Sequence, residues 1–252
     1  MGYKIEYYCI SHIGKLRKNN QDNFFCNGIY MDAENDGTTE IIHGIANDSE
    51  NTIFGVFDGM GGEQKGEMAA YIAVKSMAEH HFSDNPEIFF EQYCTDANSE
   101  ICSYTTENAL FSMGTTMATL LFQKNGVTLC NVGDSKIFLL SGNDFQQISF
   151  DHVAFSINGK KAPLTQNLGI PETELVIAPY IASGEYHNKD VYLICSDGLT
   201  DMVDNNRIKE LLETTRQEET CDALLHEAIE NGGKDNITII LLYIKRKKIL
   251  GL

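Results

Sequence analysis

Five aspartates of this sequence stand where an apolar run meets a turn or a glycine. They are Asp22 in RKNNQDN, Asp58 in FGVFDG, Asp134 in NVGDS, Asp197 in ICSDG and Asp235 in GGKDN. A single Asp-Gly pair is ordinary turn chemistry. Buried carboxylates that gather in one place repel one another and are costly unless something neutralises them. The recurrence of this pattern therefore favours a site for divalent cations over a set of unrelated turns.

The glycines after Asp58 suggest a second chemistry, a loop wrapped around a phosphate. A P-loop needs GxxxxGK[ST], and no Lys-Ser/Thr pair follows the second glycine here. A dinucleotide fingerprint needs GxGxxG, and Gln64 stands where the third glycine belongs. Both named phosphate loops are excluded. A glycine directly after the acid has another use, because the backbone carbonyl of Gly59 can approach an ion closely.

Carboxylate and carbonyl oxygens are the ligands that Mg²⁺ and Mn²⁺ prefer, and these ions usually keep several waters. Two such ions about 4 Å apart acidify a bridging water and stabilise an in-line displacement at phosphorus. Metal-assisted hydrolysis of a phosphate ester is therefore the chemistry that the residues themselves predict.

The elements that must position these acids are read from apolar runs and helical periodicity. Strands are predicted at Tyr3–Ile10, Asn23–Tyr30, Thr52–Phe57, Met117–Gln123, Val127–Val132, Lys136–Leu140, Glu174–Ala178, Val191–Cys195 and Ile237–Ile244. Helices are predicted at Glu63–His81, Pro86–Thr106, Asn206–Thr214 and Cys221–Glu230. Short mid-chain turns suit antiparallel hairpins, so we expect an α+β fold of layered sheets and helices. The polar segment 32–51 is expected to be a long loop or exposed hairpin, and 151–169 a surface flap.

Composition bounds the partners and the compartment. The chain has 252 residues and a formal net charge of −17, which argues against nucleic acid or an anionic membrane as the main partner. Its seven cysteines are scattered and form no CxxC pair, which indicates a reducing compartment and no structural zinc. We see neither a signal peptide nor an apolar run near the roughly 20 residues that span a bilayer. A cytoplasmic protein is expected.

Seven stretches, in order along almost the whole chain, resemble the metal-dependent protein phosphatases of the PP2C (PPM) family in its bacterial form. They are SHIGKLRKNNQDN, FGVFDGMGGEQKGEMAA, MGTTMATLLF, LCNVGDSKIFLL, LTQNLG, LICSDGLTDMV and GGKDNITIILL. The resemblance implies one phosphatase domain over residues 1–252 with a shortened flap around 151–169. It also implies a four-layer αββα sandwich, in which two antiparallel sheets are flanked by helix pairs.

The same resemblance implies the roles of the acids at a centre with two Mn²⁺ or Mg²⁺ ions. Asp58 matches the aspartate that bridges both metals, and Gly59 matches the residue that binds through its carbonyl. Asp197 and Asp235 match further ligands of the pair. Asp134 resembles the aspartate that, with Asp197, holds a weaker third metal in bacterial members.

Two further residues are implied to act on water and substrate. Asp22 matches an acid that orients a metal-bound water, and Arg17 matches the arginine that grips the substrate phosphate. A guanidinium fork suits that task because it bonds two phosphate oxygens at once. The implied reaction is direct attack of a metal-bridging hydroxide on phosphoserine or phosphothreonine. The implied partners are phosphoprotein substrates and a Ser/Thr kinase that the phosphatase opposes, and the chain is expected to be a monomer.

Some positions depart from the family pattern. Gln21 replaces the glutamate common before the water-orienting aspartate, Met60 stands where many eukaryotic relatives have histidine, and Lys136 and Gln166 stand where arginine is frequent. Two alternatives stay open: a catalytically silent, phosphatase-like binding module, and a metal-dependent hydrolase of another phosphate ester. Every aspartate implied as a direct ligand is present, which favours an active enzyme.

Overall fold

A computed structural model describes residues 2–48, 50–60, 65–124, 126–155 and 162–247 of the chain. The strands are β1 Tyr3–His12, β2 Asp22–Cys26, β3 Ile42–Asn47, β4 Thr52–Met60, β5 Gly114–Thr115, β6 Met117–Gln123, β7 Gly126–Val132, β8 Lys136–Ser141, β9 Asp144–Gln147, β10 Tyr180–Gly184, β11 Val191–Cys195 and β12 Ile237–Arg246. The helices are α1 Gly66–Glu79, α2 Pro86–Glu107, α3 Asp197–Thr200, α4 Asn205–Thr214 and α5 Thr220–Glu230. None of the described helices is long and apolar enough to cross a bilayer.

The strands form two antiparallel sheets that pack face to face. One sheet has the order β3-β1-β12-β11-β8-β9 and the other β10-β7-β6-β4-β2, while β5 pairs with the end of β4. The inward faces of both sheets supply one apolar cluster, with Ile5 and Ile240 from the first sheet and Phe24, Phe54 and Leu120 from the second. Full burial of such a side chain stabilises the fold by about 1.5–3 kcal/mol.

Helix pairs cover the two outer faces. α1 and α2 pack Ala70, Phe90 and Tyr93 against the sheet that contains β4. α4 and α5 pack Leu211 and Leu224 against the sheet that contains β12. This arrangement confirms the predicted αββα sandwich.

Local sequence sets the helix starts. α2 begins where the Asn-Pro signal predicts, since the Asn85 side chain accepts hydrogen bonds from the amides of Glu87 and Ile88. Asp204 caps α4 in the same way. α1 begins at Gly66; residues 61–64 lie outside the described part of the chain, so the predicted start at Glu63 is not tested there.

One predicted strand is absent, and several observed strands were not assigned from the sequence. Residues 174–178 are not a strand, because the amides of Glu174 and Leu175 turn back to the carbonyl of Pro171; the strand of this region is β10. Residues 42–47 of the expected loop form β3, which lies at a sheet edge beside β1. β9, at the opposite edge, was not predicted. Edge strands face solvent on one side and bury little, so their apolar alternation is weak.

Candidate functional site

One cavity of about 290 Å³ lies at one end of the sandwich. It is lined by Arg17, Gln21, Asp58, Gly59, Met60, Asp134, Ala162, Leu164, Asp197 and Asp235. Of the seven residues predicted from the sequence to form the site, six line this cavity, and Asp22 is the directly opposed cross-strand neighbour of Asp58.

Asp58 lies near the end of β4, and its backbone is held by Thr116, the residue between β5 and β6. The Asp58 amide donates to Thr116 Oγ1 at 3.1 Å, and the Thr116 amide donates to the Asp58 carbonyl at 2.9 Å. In the β2–β4 pairing, Asp22 stands directly opposite Asp58. Like charges directly opposed across a sheet are destabilising unless a cation lies between them or nearby.

Asp22 is the most deeply buried acid of this group, with 2% of its surface exposed. Its Oδ2 accepts hydrogen bonds from the hydroxyls of Ser196 and Thr238, each at 2.7 Å. Its Oδ1 is buried with no hydrogen-bond partner in the described residues. Burial raises the pKa of Asp22 to about 6, and the negative charge of Asp235 adds to the rise. Hydrogen bonds with the two hydroxyls and with the Asp58 carboxyl lower the pKa and so oppose the rise.

Asp197 and Asp235 meet because β11 and β12 are antiparallel neighbours. Asp197 follows the end of β11 and opens α3, where it is buried. Asp235 precedes β12; its Oδ1 accepts from the amide of Asn236 at 2.8 Å, and its Oδ2 accepts from Arg17 Nη2 at 2.6 Å.

Asp134 sits in the three-residue turn by which the chain passes from β7 in one sheet to β8 in the other. Gly133 adopts a φ of 99°, a left-handed conformation that favours glycine, and a side chain there would press into Thr116. This turn places the Asp134 carboxylate at the cavity beside the ends of β4 and β11.

Gly59 leaves room for a close backbone packing. Its amide donates to the carbonyl of Gln21 at 3.1 Å, and any side chain at Gly59 would collide with the carbonyls of Gln21 and Gly66. Gln21, the departure from the family pattern, donates through Nε2 to Glu67 Oε2 at 3.1 Å. The neutral Gln21 side chain therefore donates a hydrogen bond to an acid in the first turn of α1.

Arg17 belongs to an exposed loop between β1 and β2, and 48% of its side chain is accessible. Asn236 fixes this loop: its Nδ2 donates to the carbonyls of Ile13 and Asn19, and its Oδ1 accepts from the amide of Gln21. Asn236 therefore has a turn and packing role. It also sets where Arg17 stands over the cavity.

Sequence reasoning missed Thr238 as a partner of Asp22. A signal was present, because Thr238 is the one polar residue in the apolar run ITIILL of β12. The contact that Thr116 makes was not predicted from the sequence either; its hydroxyl meets that of Ser135 at 2.7 Å and so joins the Asp58 and Asp134 segments.

The donor set fits divalent cations that prefer oxygen. Four aspartates and Gly59 line the cavity, and carboxylates that share a cavity are stabilised by positive charge among them. In the part of the chain that the structure describes, no three acidic, histidine or cysteine side chains converge closely enough to hold an ion by themselves. An ion here would keep several waters, as Mg²⁺ and Mn²⁺ commonly do.

Comparisons with known proteins identify the family of this chain. The family model described as Protein phosphatase 2C matches residues 41–230. The chain is 28% identical to the serine/threonine phosphatase stp of Listeria welshimeri, over 91% of this chain and 92% of that protein. It is 24% identical to the protein phosphatase PhpP of Streptococcus pneumoniae, over 94% of this chain and 97% of that protein.

A solved structure of a bacterial phosphatase has the same fold. The catalytic domain of the serine threonine protein phosphatase PstP, in complex with two manganese ions, superposes with a TM-score of 0.77 at 26% identity, over 97% of this chain and all of that one. The chain therefore belongs to the protein phosphatase 2C family of metal-dependent serine/threonine phosphatases.

Proposed function

We propose that this chain, as one phosphatase domain over residues 1–252 with a short flap around 151–169, removes phosphate from phosphoserine and phosphothreonine in proteins. The observation that carries the proposal is the single cavity that Asp58, Asp134, Asp197 and Asp235 line together with Arg17, with Asp22 paired to Asp58. Carboxylates gathered with an accessible guanidinium suit a dianionic phosphate ester that arrives at bound cations.

The ligand assignment follows the chemistry of the donors. Asp58, the Gly59 carbonyl, Asp197 and Asp235 would hold two ions, Mn²⁺ or Mg²⁺, and Asp134 with Asp197 a weaker third. When bound, these ions acidify water and stabilise the charge that develops on the phosphoryl oxygens.

The chain's own groups position the reactants. Arg17 can exchange its hydrogen bond with Asp235 for two bonds to phosphate oxygens, because its guanidinium is exposed at the cavity. Asp22 Oδ1 is the acceptor that would orient the attacking water, while Ser196 and Thr238 hold the other oxygen of that carboxylate. Met60 cannot donate a proton, so water is the group that protonates the leaving alkoxide.

Phosphoproteins are the substrates of this site, and a Ser/Thr kinase is the enzyme that it opposes. The net charge of −17 disfavours nucleic acid and anionic membrane as partners. The thiol pattern supports a cytoplasmic location, and we propose a monomer.

Phosphate release from a phosphothreonine peptide, with Mn²⁺ and with EDTA, tests the proposal in wild type and Asp197→Asn. Asp144→Asn, an exposed aspartate on edge strand β9, is the matched control. We expect turnover that EDTA and Asp197→Asn abolish and that Asp144→Asn retains. Turnover that resists both would refute the metal site. No turnover by a wild type that calorimetry shows to bind Mn²⁺ would favour a silent module or a different ester.

A further inference from the structure

The base of the flap is a small antiparallel hairpin. Val153 pairs with Leu164, the Ala154 amide donates to the Pro163 carbonyl at 2.9 Å, and the Thr165 amide donates to the His152 carbonyl at 2.8 Å. These bonds flank the Val153–Leu164 pair, which is the close, non-hydrogen-bonded kind whose side chains share one face.

That face continues into the active-site cavity. Leu164 and Ala162 line the cavity together with Arg17 and the aspartates. Phe155 follows Val153 by two residues, at the end of the described part of this arm of the hairpin. Val153 is 37% exposed and Phe155 is 95% exposed. The described part of the flap thus places four apolar side chains beside a highly charged cavity, called here the flap face (Val153, Phe155, Ala162 and Leu164).

The flap face is anchored rather than loosely attached. His152 is buried, its amide donates to the Gly133 carbonyl at 2.9 Å, and its Nδ1 accepts from the Gly133 amide at 3.2 Å. The backbone of Phe150 makes two hydrogen bonds with the side chain of Asn131. These contacts fix the flap base to the turn that carries Asp134, so the apolar surface has a defined place beside the cavity.

We propose that the flap face binds a bulky aliphatic or aromatic side chain of the substrate close to the phosphorylated residue, and so selects phosphoproteins with an apolar flanking position. The inference rests on the proposed function. An extended substrate advances about 3.3 Å per residue, so a side chain within a few positions of the phosphate reaches Val153 and Phe155. Contact removes apolar surface of both partners from water, which favours an apolar flanking side chain.

Phosphothreonine peptides that carry a single leucine at successive positions on both sides of the phosphothreonine, in an otherwise serine and glycine background, test the inference. We expect kcat/KM of wild type to rise about tenfold, equivalent to about 1.4 kcal/mol, for leucine at one or two positions over the all-serine peptide. Phe155→Ser and, as a second variant, Val153→Ser should reduce this preference towards unity. Val176→Ser removes an exposed apolar side chain that lines a different cavity beside α2, and should leave the preference intact.

The experiment measures the ratio of kcat/KM between leucine-containing and all-serine peptides, so failure of the inference can be distinguished from failure of the proposed function. Metal-dependent turnover with no leucine preference at any position would overturn the inference and leave the proposed function standing. A preference that survives both flap variants would also overturn it. No metal-dependent turnover of any peptide or of p-nitrophenyl phosphate would instead overturn the proposed function. A wild-type dimer in sedimentation that Phe155→Ser dissociates, without a change in the ratio, would assign the flap face to a second copy of this chain.

Discussion

The strand ends that carry the acids and the flap that borders them are built differently. Asp22 and Asp58 stand on paired strands inside the sandwich, and hydroxyls from β12 and from the residue after β11 hold Asp22. The flap has one bridge, Val153–Leu164, and a docked base, and it leaves Phe155 in solvent. Groups that need fixed distances lie on the rigid scaffold, and groups that meet varied substrates lie on a loop.

Neutralising Asp58 should give the largest effect and should separate activity from stability. We expect Asp58→Asn to lower kcat by at least about 10³-fold, since it removes a charge central to the transition state. It should also raise the free energy of unfolding without metal by up to about 1 kcal/mol, because it removes one negative charge from the four aspartates that line the same cavity.

Peptide turnover with Mn²⁺ and urea unfolding in EDTA measure the two effects. Asp144→Asn is again the control. An Asp58→Asn protein that is less stable than wild type in EDTA would contradict the role assigned to charge repulsion.

Removing the Thr238 hydroxyl tests how firmly the rigid region is held. Thr238→Val should cost about 1.5–3 kcal/mol of stability, because the lost hydrogen bond serves a buried carboxylate. We expect kcat to fall about 10- to 100-fold, as for other partners that orient a metal site. Urea unfolding at neutral pH and steady-state kinetics provide the test.

Thr128→Val is the matched control for this experiment, since the Thr128 hydroxyl is also buried but meets the neutral Ser183 hydroxyl at 2.9 Å. It should cost about 1 kcal/mol and leave kcat unchanged. Equal losses of stability in the two variants would show that the hydrogen bond to Asp22 contributes no more than one to a neutral hydroxyl.

Weakening the flap base should loosen that region without unfolding the sandwich. In His152→Ala the Gly133 amide loses its side-chain acceptor, a loss of about 1–2 kcal/mol. We expect faster hydrogen exchange at Gly133 and through the flap, with protection in β4 and β12 retained. Uniformly faster exchange across both sheets would mean that the flap base and the core open as one unit.

A prediction away from both regions concerns acid. Burial disfavours the charge of Glu6, but hydrogen bonds from Lys245 and Tyr8 outweigh it and lower the pKa of Glu6 to about 2. A lowered folded-state pKa stabilises the fold above the unfolded value of about 4.5, and this stability is lost as pH falls from there towards 2.

The size of the effect should be about 1 kcal/mol, since Lys245 is partly exposed and solvent screens the pair. Urea midpoints of wild type and Glu6→Gln between pH 6 and 3 should therefore converge on acidification. A constant gap across that range would exclude Glu6 as the titrating group.

The fold could be predicted where burial leaves a pattern. β6, β8 and β11, which lie inside the sheets, begin and end within a residue of the prediction, and the capping signal located the start of α2. Edge strands β3, β9 and β10 were missed or misplaced, because a strand that is half in solvent tolerates polar residues. A turn that begins at Pro171 occupies the start of segment 174–178, which was predicted to be a strand.

By itself, the sequence determined which groups the site contains: carboxylates at strand ends, a glycine where backbone must come close, and an arginine. Only the tertiary structure decided that Asp22 faces Asp58, that Thr238, 216 residues further along the chain, holds Asp22, and that an apolar flap face borders a charged cavity. The physical reason is that residue type sets what a group can bond. Strand register and sheet order, which depend on contacts distant in sequence, set which groups meet.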